Sequence, residues 1–324
     1  MSRVNENPSL CVLVTAIGSF SADRVIRELH DAGIRVIGCD IYPRQWIANS
    51  SLVDVFYHVA LAHSKEYEIQ LREIIQEEHV DYIFPLTDIE VDVLNGLRGT
   101  LESVVCISGA DTIRVCRDKW KTFQILVPKF EKYLIPTRLL SNIKIDGLEY
   151  PVICKPINGR SSSGLFIAHN VRDFQYYRST ITDGDRYCVQ PKIEGTVVTV
   201  DIVRSEWNDE CVAIPRREFL RTPNGAGVSV EIFQNDILCE LAKNIASELN
   251  INGCVNFEFI ETPSHEYRFL ECNPRFSGGI SFSCIAGYNF VMNHLKCFLH
   301  ESIDSQPRTR DMFIVKKYNE YVMD

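Results

Sequence analysis

Two β-rich stretches of the sequence carry the side chains best suited to chemistry. The later one, residues 268–279, reads RFLECNPRFSGG, and strand periodicity puts Glu271 and Asn273 on one face, with Arg275 just past the strand end. The earlier one, VNFEFI, contributes Glu258, and the TPSH between the two runs predicts a hairpin that presents these oxygens together. Grouped carboxylates with an amide oxygen beside them suit Mg²⁺. The alternative is a surface hairpin whose acids are solvated.

A loop of small residues follows the strand-like run PVICKP. Residues 158–164 read NGRSSSG, and Gly159 and Gly164 allow the backbone to approach a ligand closely. Free N–H groups in such a loop can face an anion, and Lys155 at its edge adds a positive charge. The Walker motif G-x-x-x-x-G-K-[ST] is absent, and the loop leads into a strand rather than a helix. Taken alone, an ordinary flexible hairpin is the commoner meaning of such a loop.

Two further segments could line a binding cleft. In RYCVQPKIEG, an extended segment places Gln190, Lys192 and Ile193 where they could line a slot for the edge of an adenine, before a turn at Glu194. Arginine grips planar anions in bidentate fashion, so the next segment predicts a carboxylate or phosphate site, with a solvated basic face as the alternative. That segment, IPRREFLRTPNGAGVS, contains Arg216, Arg217, Arg221, Gly225 and Gly227.

The first third of the chain alternates strands with helices. Residues 10–16 (LCVLVTA) form an apolar run typical of a buried strand, and apolar residues at helical spacing follow before Gly33. Similar patterns recur to residue 117, which predicts a parallel sheet with helices on both faces. Asp40 ends the second strand, but the loop TAIGSFSA has one glycine where a dinucleotide fingerprint needs three. NAD or FAD binding is therefore disfavoured, and this part is interpreted as a scaffold that contributes loops to a shared cleft.

The composition is that of an ordinary globular protein. With 324 residues, of which 45% are apolar and 24% charged, the chain is long enough for two or three domains. A net charge of −9, with no dense run of Lys and Arg, argues against nucleic-acid binding. The 12 cysteines form no CxxC pair, which favours reduced thiols over disulfides or zinc. The absence of a signal pattern and of an 18-residue apolar run predicts a cytoplasmic protein without a membrane partner.

Taken in order, these motifs resemble the ATP-grasp superfamily, and most closely its carboxylate–amine ligase branch similar to the carbamoyl phosphate synthetase large subunit. The motifs are DK, VICKP, the Gly/Ser loop, QPKIEG, the Arg/Gly loop, NFEF and ECNPRFSGG, and they span most of the chain. The implied fold class is α/β: a doubly wound, Rossmann-like parallel-sheet domain followed by an ATP-grasp α+β module of two subdomains. The implied boundaries are 1–117 for the first domain, 118–189 for the small subdomain and 190–324 for the large subdomain.

The resemblance also implies which residues bind the nucleotide. Lys119 and Lys155 would contact the phosphates, and the loop 158–164 would close over them. Val197 stands where many relatives have a ribose-binding acid, so Glu194 is the candidate to replace it. The complete implied set is Lys119, Lys155, Ser161, Ser162, Ser163, Gly164, Gln190, Lys192, Ile193 and Glu194.

The same matching implies a metal and a catalytic set. Glu258, Glu271 and Asn273 would hold two Mg²⁺ ions, which Mn²⁺ could replace. Arg275 would grip the transferred phosphoryl group or the acyl phosphate, and Arg217 would lie near the carboxylate substrate. Asn273 completes the catalytic set.

The reaction that the resemblance implies is ATP-dependent ligation. A carboxylate and ATP would give an acyl phosphate and ADP, and an amine would then displace phosphate to form an amide. The partners would be a small-molecule carboxylate and amine, and the chain could form a homodimer. The alternative is an ATP-binding regulatory protein or pseudo-enzyme that keeps the fold without turnover.

Overall fold

The computed structural model describes residues 10–145, 147–160, 163–223 and 225–323, and it begins with a parallel sheet. The five strands lie in the order β3-β2-β1-β4-β5, and every neighbouring pair is parallel. This confirms the α/β prediction for the first third of the chain. Its elements are β1 Cys11–Thr15, α1 Ala22–Asp31, β2 Arg35–Asp40, β3 Val55–His58, α2 Lys65–Glu78, β4 Tyr82–Phe84, α3 Asp88–Leu97, β5 Val104–Val105 and α4 Ala110–Cys116.

The carboxyl ends of β1 and β4 deliver two loops to one edge of this sheet. All five residues of β1 are buried, which fixes the strand in the middle of the layer. Asp40, at the end of β2, accepts a hydrogen bond from the Gly18 backbone N–H at 2.8 Å and so orders the loop that follows β1. Thr87 caps α3 by accepting from the Glu90 N–H. Asp40 thus has a structural role in holding the loop.

A small antiparallel sheet occupies the middle of the chain. Its strand order is β6-β9-β7-β8, and α6 packs on it through the buried side chain of Phe174. The preceding helix, α5, packs instead against the core of the third sheet through Leu126. The elements are α5 Lys119–Phe130, β6 Arg138–Leu139, β7 Val152–Pro156, β8 Phe166–Ala168, α6 Val171–Thr180 and β9 Tyr187–Pro191.

A six-stranded antiparallel sheet forms the rest of the molecule, in the order β14-β13-β10-β11-β12-β15. The chain changes sheets after Pro191, so the expected boundary at residue 190 falls inside β9. The last strand, β15, pairs with β12 and so joins the C-terminal part of the chain to this sheet. The elements are β10 Thr196–Arg204, β11 Cys211–Arg221, β12 Gly227–Ile232, α7 Asp236–Glu248, β13 Gly253–Glu261, β14 Tyr267–Asn273, α8 Ile280–Ile285, α9 Phe290–Leu299 and β15 Met312–Val315.

Each face of the six-stranded sheet has its own core. One face packs against α7 and α5, with Val198 and Phe257 among its buried side chains. The other packs against α8 and α9 and is continuous with the apolar residues of α1 and β1, so the parallel sheet is joined to this face. Within the described ranges, no helix combines the length and the apolar character that a membrane crossing requires.

Candidate functional site

A cavity of about 490 Å³ lies where the three sheets meet. The loops after β1 and β4 form one wall, and α5 and β9 form another. The face of β11, β13 and β14 closes the remaining side. Its main polar lining residues are Ser19, Ser21, Thr87, Asp88, Arg117, Lys119, Arg160, Gln190, Thr199, Arg216, Glu218, Arg221, Asn256, Glu258, Glu271, Asn273, Arg275 and Ser277.

The register of β13 with β14 brings the two predicted acids together. Glu258 lies opposite Glu271, and Asn256 lies opposite Asn273, so all four side chains belong to one face of the hairpin. Phe257 is on the other face, fully buried, with its ring edge-to-face on another aromatic ring of the core. A register slip of one residue would bury the acids and expose the aromatic residues, so the core fixes the position of the acids.

The acidic pair is electrostatically suited to a cation. Burial and the facing charge of Glu271 raise the pKa of Glu258, against the opposing effect of Arg221. Burial also acts to raise the pKa of Glu271, but Lys119 and Lys155 hold it below its usual value. Two like charges in register repel each other, and a divalent ion between them would remove that repulsion.

The amide of Asn273 adds a third oxygen to this face. Its Nδ2 donates to Asn256 Oδ1 at 3.2 Å, and Asn256 Nδ2 donates in turn to the backbone carbonyl of Arg275 at 3.0 Å. The Asn273 Oδ1 has no hydrogen-bond donor within the described part of the chain. In that same part, no three His, Cys, Asp or Glu side chains group as a metal site. Two carboxylates and an amide oxygen fit Mg²⁺, which completes its shell with water or phosphate oxygens.

Two lysines stand beside this oxygen cluster. Lys119 Nζ lies 3.4 Å from Glu271 Oε2 and donates to the Gly159 carbonyl at 3.0 Å. Lys155 is 7% exposed, and its ammonium has no hydrogen bond or ion pair to any described residue. Burial lowers the pKa of Lys155, Glu271 acts against this, and the charge of Lys119 lowers it further. A buried ammonium of this kind is ready to bind an anion.

Arg216 and Arg221 extend the site along β11. Arg216 is fully buried, pairs with Asp201 and lies 3.2 Å from Glu218 through Nε. It also donates to Ser277 Oγ at 3.1 Å. Arg221 bridges Glu218 and Glu258 at 2.7 and 2.9 Å, and thereby connects this part of the site to the acidic pair.

The position of Arg217 differs from the expectation. Because side chains alternate along a strand, Arg217 faces away from the cavity that Arg216 lines. It pairs with Glu261 and, at 3.0 Å, with Glu231, and its guanidinium lies 3.8 Å from the ring of Phe233. The structure therefore does not bring Arg217 to the cleft, and the guanidinium groups of β11 that face it are those of Arg216 and Arg221.

Only some of the predicted nucleotide-binding residues line the cavity. Gln190 lines the cavity, and its Nε2 donates to Thr137 Oγ1 at 2.7 Å. Six other predicted residues are absent from the described lining of the cavity: Lys155, Ser163, Gly164, Lys192, Ile193 and Glu194. Lys155 lies beside Glu271, and Lys192 forms an ion pair with Glu194. Ser161 and Ser162 lie outside the described residues.

Arg275 is held by a residue that the sequence pattern did not single out. Its Nη2 donates to Asp88 Oδ2 at 2.9 Å, across 187 positions of the chain. Glu218 was also missed, although it pairs with both cleft-facing arginines of β11. The sequence does contain a signal for Asp88, because Thr87 and Glu90 have the spacing of a capping box, which marks the start of a helix at Asp88.

Comparisons with known proteins give matches of three kinds. A family model described as "ATP-grasp in the biosynthetic pathway with Ter operon" matches residues 185–321. The D-alanine–D-alanine ligase of Petrotoga mobilis (strain DSM 10674 / SJ95) is 28% identical over 132 residues. That match covers 39% of this chain and 43% of the ligase, so the matched part is less than half of that curated relative.

Two solved structures have the same fold over most of the chain. Biotin carboxylase of Campylobacter jejuni, as a β,γ-ATP complex, superposes with a TM-score of 0.74 at 16% identity, covering 91% of this chain and 72% of that one. N5-carboxyaminoimidazole synthetase of Staphylococcus aureus, complexed with ADP, gives a TM-score of 0.74 at 15% identity and covers 94% and 82%. These findings show that the chain has the fold of these two enzymes and that its residues 185–321 are similar to an ATP-grasp family.

Proposed function

We propose that this protein is an ATP-dependent ligase that joins a carboxylate to an amine through an acyl phosphate and releases ADP and phosphate. The observation that carries the proposal is the pairing of Glu258 with Glu271 across the hairpin, with Lys119 and Arg275 in the same cleft and the buried Lys155 beside Glu271. Phosphoryl transfer depends on positioning and charge neutralisation more than on a protein nucleophile. This arrangement supplies both.

The phosphate end of the cleft is assigned to the cluster of acids and lysines. Glu258, Glu271 and Asn273 would hold Mg²⁺, as two ions that Mn²⁺ could replace. The metal would neutralise phosphate charge when bound. Lys155, whose ammonium has no partner in the described chain, and Lys119 would contact the phosphate oxygens. The biotin carboxylase domain of Hydrogenobacter thermophilus 2-oxoglutarate carboxylase, which has the same fold, has been crystallised with MgADP, and this supports the choice of metal and nucleotide.

The positions of the adenine and of the carboxylate substrate are assigned from the side chains that line the rest of the cleft. Gln190, oriented by its hydrogen bond to Thr137, would lie along the adenine. The carboxylate substrate would lie toward Arg216 and Arg221, beside residues 277–279. Arginine binds planar carboxylates in bidentate fashion, which supports this direction.

The reaction then proceeds in two displacements. A carboxylate oxygen of the substrate attacks the terminal phosphorus of ATP, the bond to the bridging oxygen breaks, and ADP leaves. Arg275 is placed to stabilise the charge on the transferred group. The amine nitrogen next attacks the acyl carbon, phosphate leaves with the bonding electrons, and the amine loses a proton as the amide forms.

Release of ADP and phosphate tests this proposal directly. The purified chain is mixed with ATP, Mg²⁺ and pools of carboxylates and amines, beginning with amino acids because the curated relative is an amino-acid ligase by name. We expect one pool to stimulate ADP formation and Glu271→Gln to lower it at least 100-fold, by the loss of a charged group in the transition state. Glu266→Gln, an exposed acid on the same hairpin, is the control.

The outcomes separate the candidate functions. Stimulation that survives Glu271→Gln at full rate would contradict the assigned site. Tight binding of nucleotide with no stimulation by any pool would instead support the regulatory protein or pseudo-enzyme.

We also propose the division of the chain into three domains, residues 1–117, 118–189 and 190–324, with the boundary between the second and third moved to follow β9.

A further inference from the structure

One helix of the parallel-sheet unit carries two acids that face the cleft residues of the other sheets. Asp88 and Asp92 lie one turn apart on α3 and therefore share a face. Asp88 receives Arg275 at 2.9 Å and Arg117 at 3.4 Å. Asp92 receives Arg117 at 3.0 Å and pairs with Arg160. Two carboxylates thus hold three guanidinium groups from three different parts of the chain.

The two acids hold residues of different function. Arg275 follows β14, directly beyond the oxygen cluster, and its other terminal nitrogen is fixed by the Phe276 carbonyl at 3.0 Å. Arg160 belongs to the segment after β7, next to Gly159, whose carbonyl accepts from Lys119. Asp88 is therefore tied to the end of the site assigned to the transferred phosphoryl group, and Asp92 to the chain that borders the nucleotide phosphates.

The burial of Asp88 favours a specific role over a chance surface pair. Its side chain is 12% exposed and that of Arg275 is 21% exposed, so solvent screens the pair weakly. Burial acts to raise the pKa of Asp88, but Arg275 and Arg117 hold it below its usual value, so the carboxylate stays charged. A charged, buried carboxylate fixes the direction of a guanidinium through charge-assisted hydrogen bonds.

We propose that Asp88 and Asp92 are positioning residues of the phosphate site, through which the parallel-sheet unit sets the orientation of Arg275 and of Arg160. This inference rests on the proposed function. Asp88 would make Arg275 selective for a third phosphate group, and Asp92 would support binding of any nucleotide. Neither acid would touch the nucleotide itself.

Affinities for two nucleotides separate these roles without any turnover. Calorimetric titration with Mg·ADP and with the Mg complex of the β,γ-imido analogue of ATP gives the preference for the triphosphate. Asp88→Asn is expected to lower that preference about tenfold, the equivalent of one lost charge-assisted contact, while leaving ADP affinity near that of the wild type. Asp92→Asn is expected to weaken both nucleotides by the same several-fold factor.

A control and a conservative variant complete the experiment. Asp111→Asn removes an exposed acid from the first turn of α4 and should change neither affinity. Asp88→Glu keeps the charge and should recover part of the triphosphate preference, which keeps the test decisive if Asp88→Asn does not fold. If the wild type binds both nucleotides and Asp88→Asn and Asp92→Asn behave like Asp111→Asn, the inference is overturned alone. If the wild type binds neither nucleotide, the proposed function fails and the inference with it.

Discussion

Glu258 is the residue whose ionisation controls the proposed metal site. Burial and the charge of Glu271 raise its pKa, and it must lose its proton to bind a cation. The affinity for Mg·ADP should therefore rise with pH across the interval between the usual carboxyl pKa and the raised one, by up to about tenfold per pH unit. Titration calorimetry between pH 5 and pH 8 measures this, and Glu258→Gln should abolish the dependence.

The unliganded chain should show the opposite trend in stability. A raised pKa in the folded state means that the folded chain binds this proton more tightly than the unfolded chain. The contribution of Glu258 to the free energy of unfolding is thus full at acid pH and is lost as the pH rises through the raised pKa. A nucleotide affinity that stayed constant between pH 5 and pH 8 would contradict the assignment of Glu258 to the metal site.

Arg217 has a structural role that can be separated from the cleft. Replacing it with Met leaves the buried carboxylate of Glu261 without its main partner. The free energy of unfolding should fall by about 1–3 kcal/mol, the usual cost of an unpaired buried polar group. Urea denaturation measures this loss. Because Arg217 faces away from the cavity, nucleotide affinity should persist, and its loss at unchanged stability would show that Arg217 acts in the site.

At the scale of elements, the start of β13 depends on a glycine. Gly253 has a φ of +83°, and an added Cβ would come within 2.7 Å of His294 Nδ1, the acceptor of the Cys254 N–H. Gly33 is the matched control, because its φ is +74° and no atom lies within 4 Å of an added Cβ. In urea denaturation, Gly33→Ala should cost about 1–2 kcal/mol from backbone strain alone. Gly253→Ala should cost more, and equal losses would mean that the contact with His294 is unimportant.

Sequence patterns predicted some of the helices and strands but not others. The β13–β14 hairpin was predicted with its acids on one face because period-two alternation is a local signal. Helix α3 was not predicted, since its sequence DIEVDVLNGL mixes β-branched residues with Asp, Asn and Gly and hides the helical period. The face of Arg217 was not predicted either. The alternation along β11 is interrupted by irregular register near Glu218 and Leu220, so Arg221 returns to the cleft face.

At the scale of the molecule, the cleft belongs to all three sheets at once. The order of motifs along the chain was enough to predict the type of module. It could not predict the contact of Arg275 with Asp88, because a pair separated by 187 residues has no local sequence signal. The same holds for Arg160 with Asp92. Side chains that reach across sheets are set by tertiary packing, which single-sequence patterns do not encode.

A ligand bound among three sheets should stabilise the whole chain. A ligand at 100 times its dissociation constant adds about 2.7 kcal/mol to the free energy of unfolding. Mg·ADP should therefore raise the melting temperature by several degrees in scanning calorimetry. Lys155→Met removes a buried ammonium that has no partner among the described residues, and it should reduce that shift. Lys121→Met, on the exposed side of α5, should leave the shift unchanged. A full shift in Lys155→Met would contradict its contact with the phosphates.

Crystals grown with Mn²⁺ and the β,γ-imido analogue of ATP would show directly whether Glu258 and Glu271 hold the metal. Anomalous scattering from Mn²⁺ locates the metal independently of the protein coordinates. We expect peaks within direct coordination distance of the carboxylates of Glu258 and Glu271, with the phosphate chain against Lys155. Metal peaks absent from this pair, or phosphates bound away from Lys155 while both acids face solvent, would contradict it.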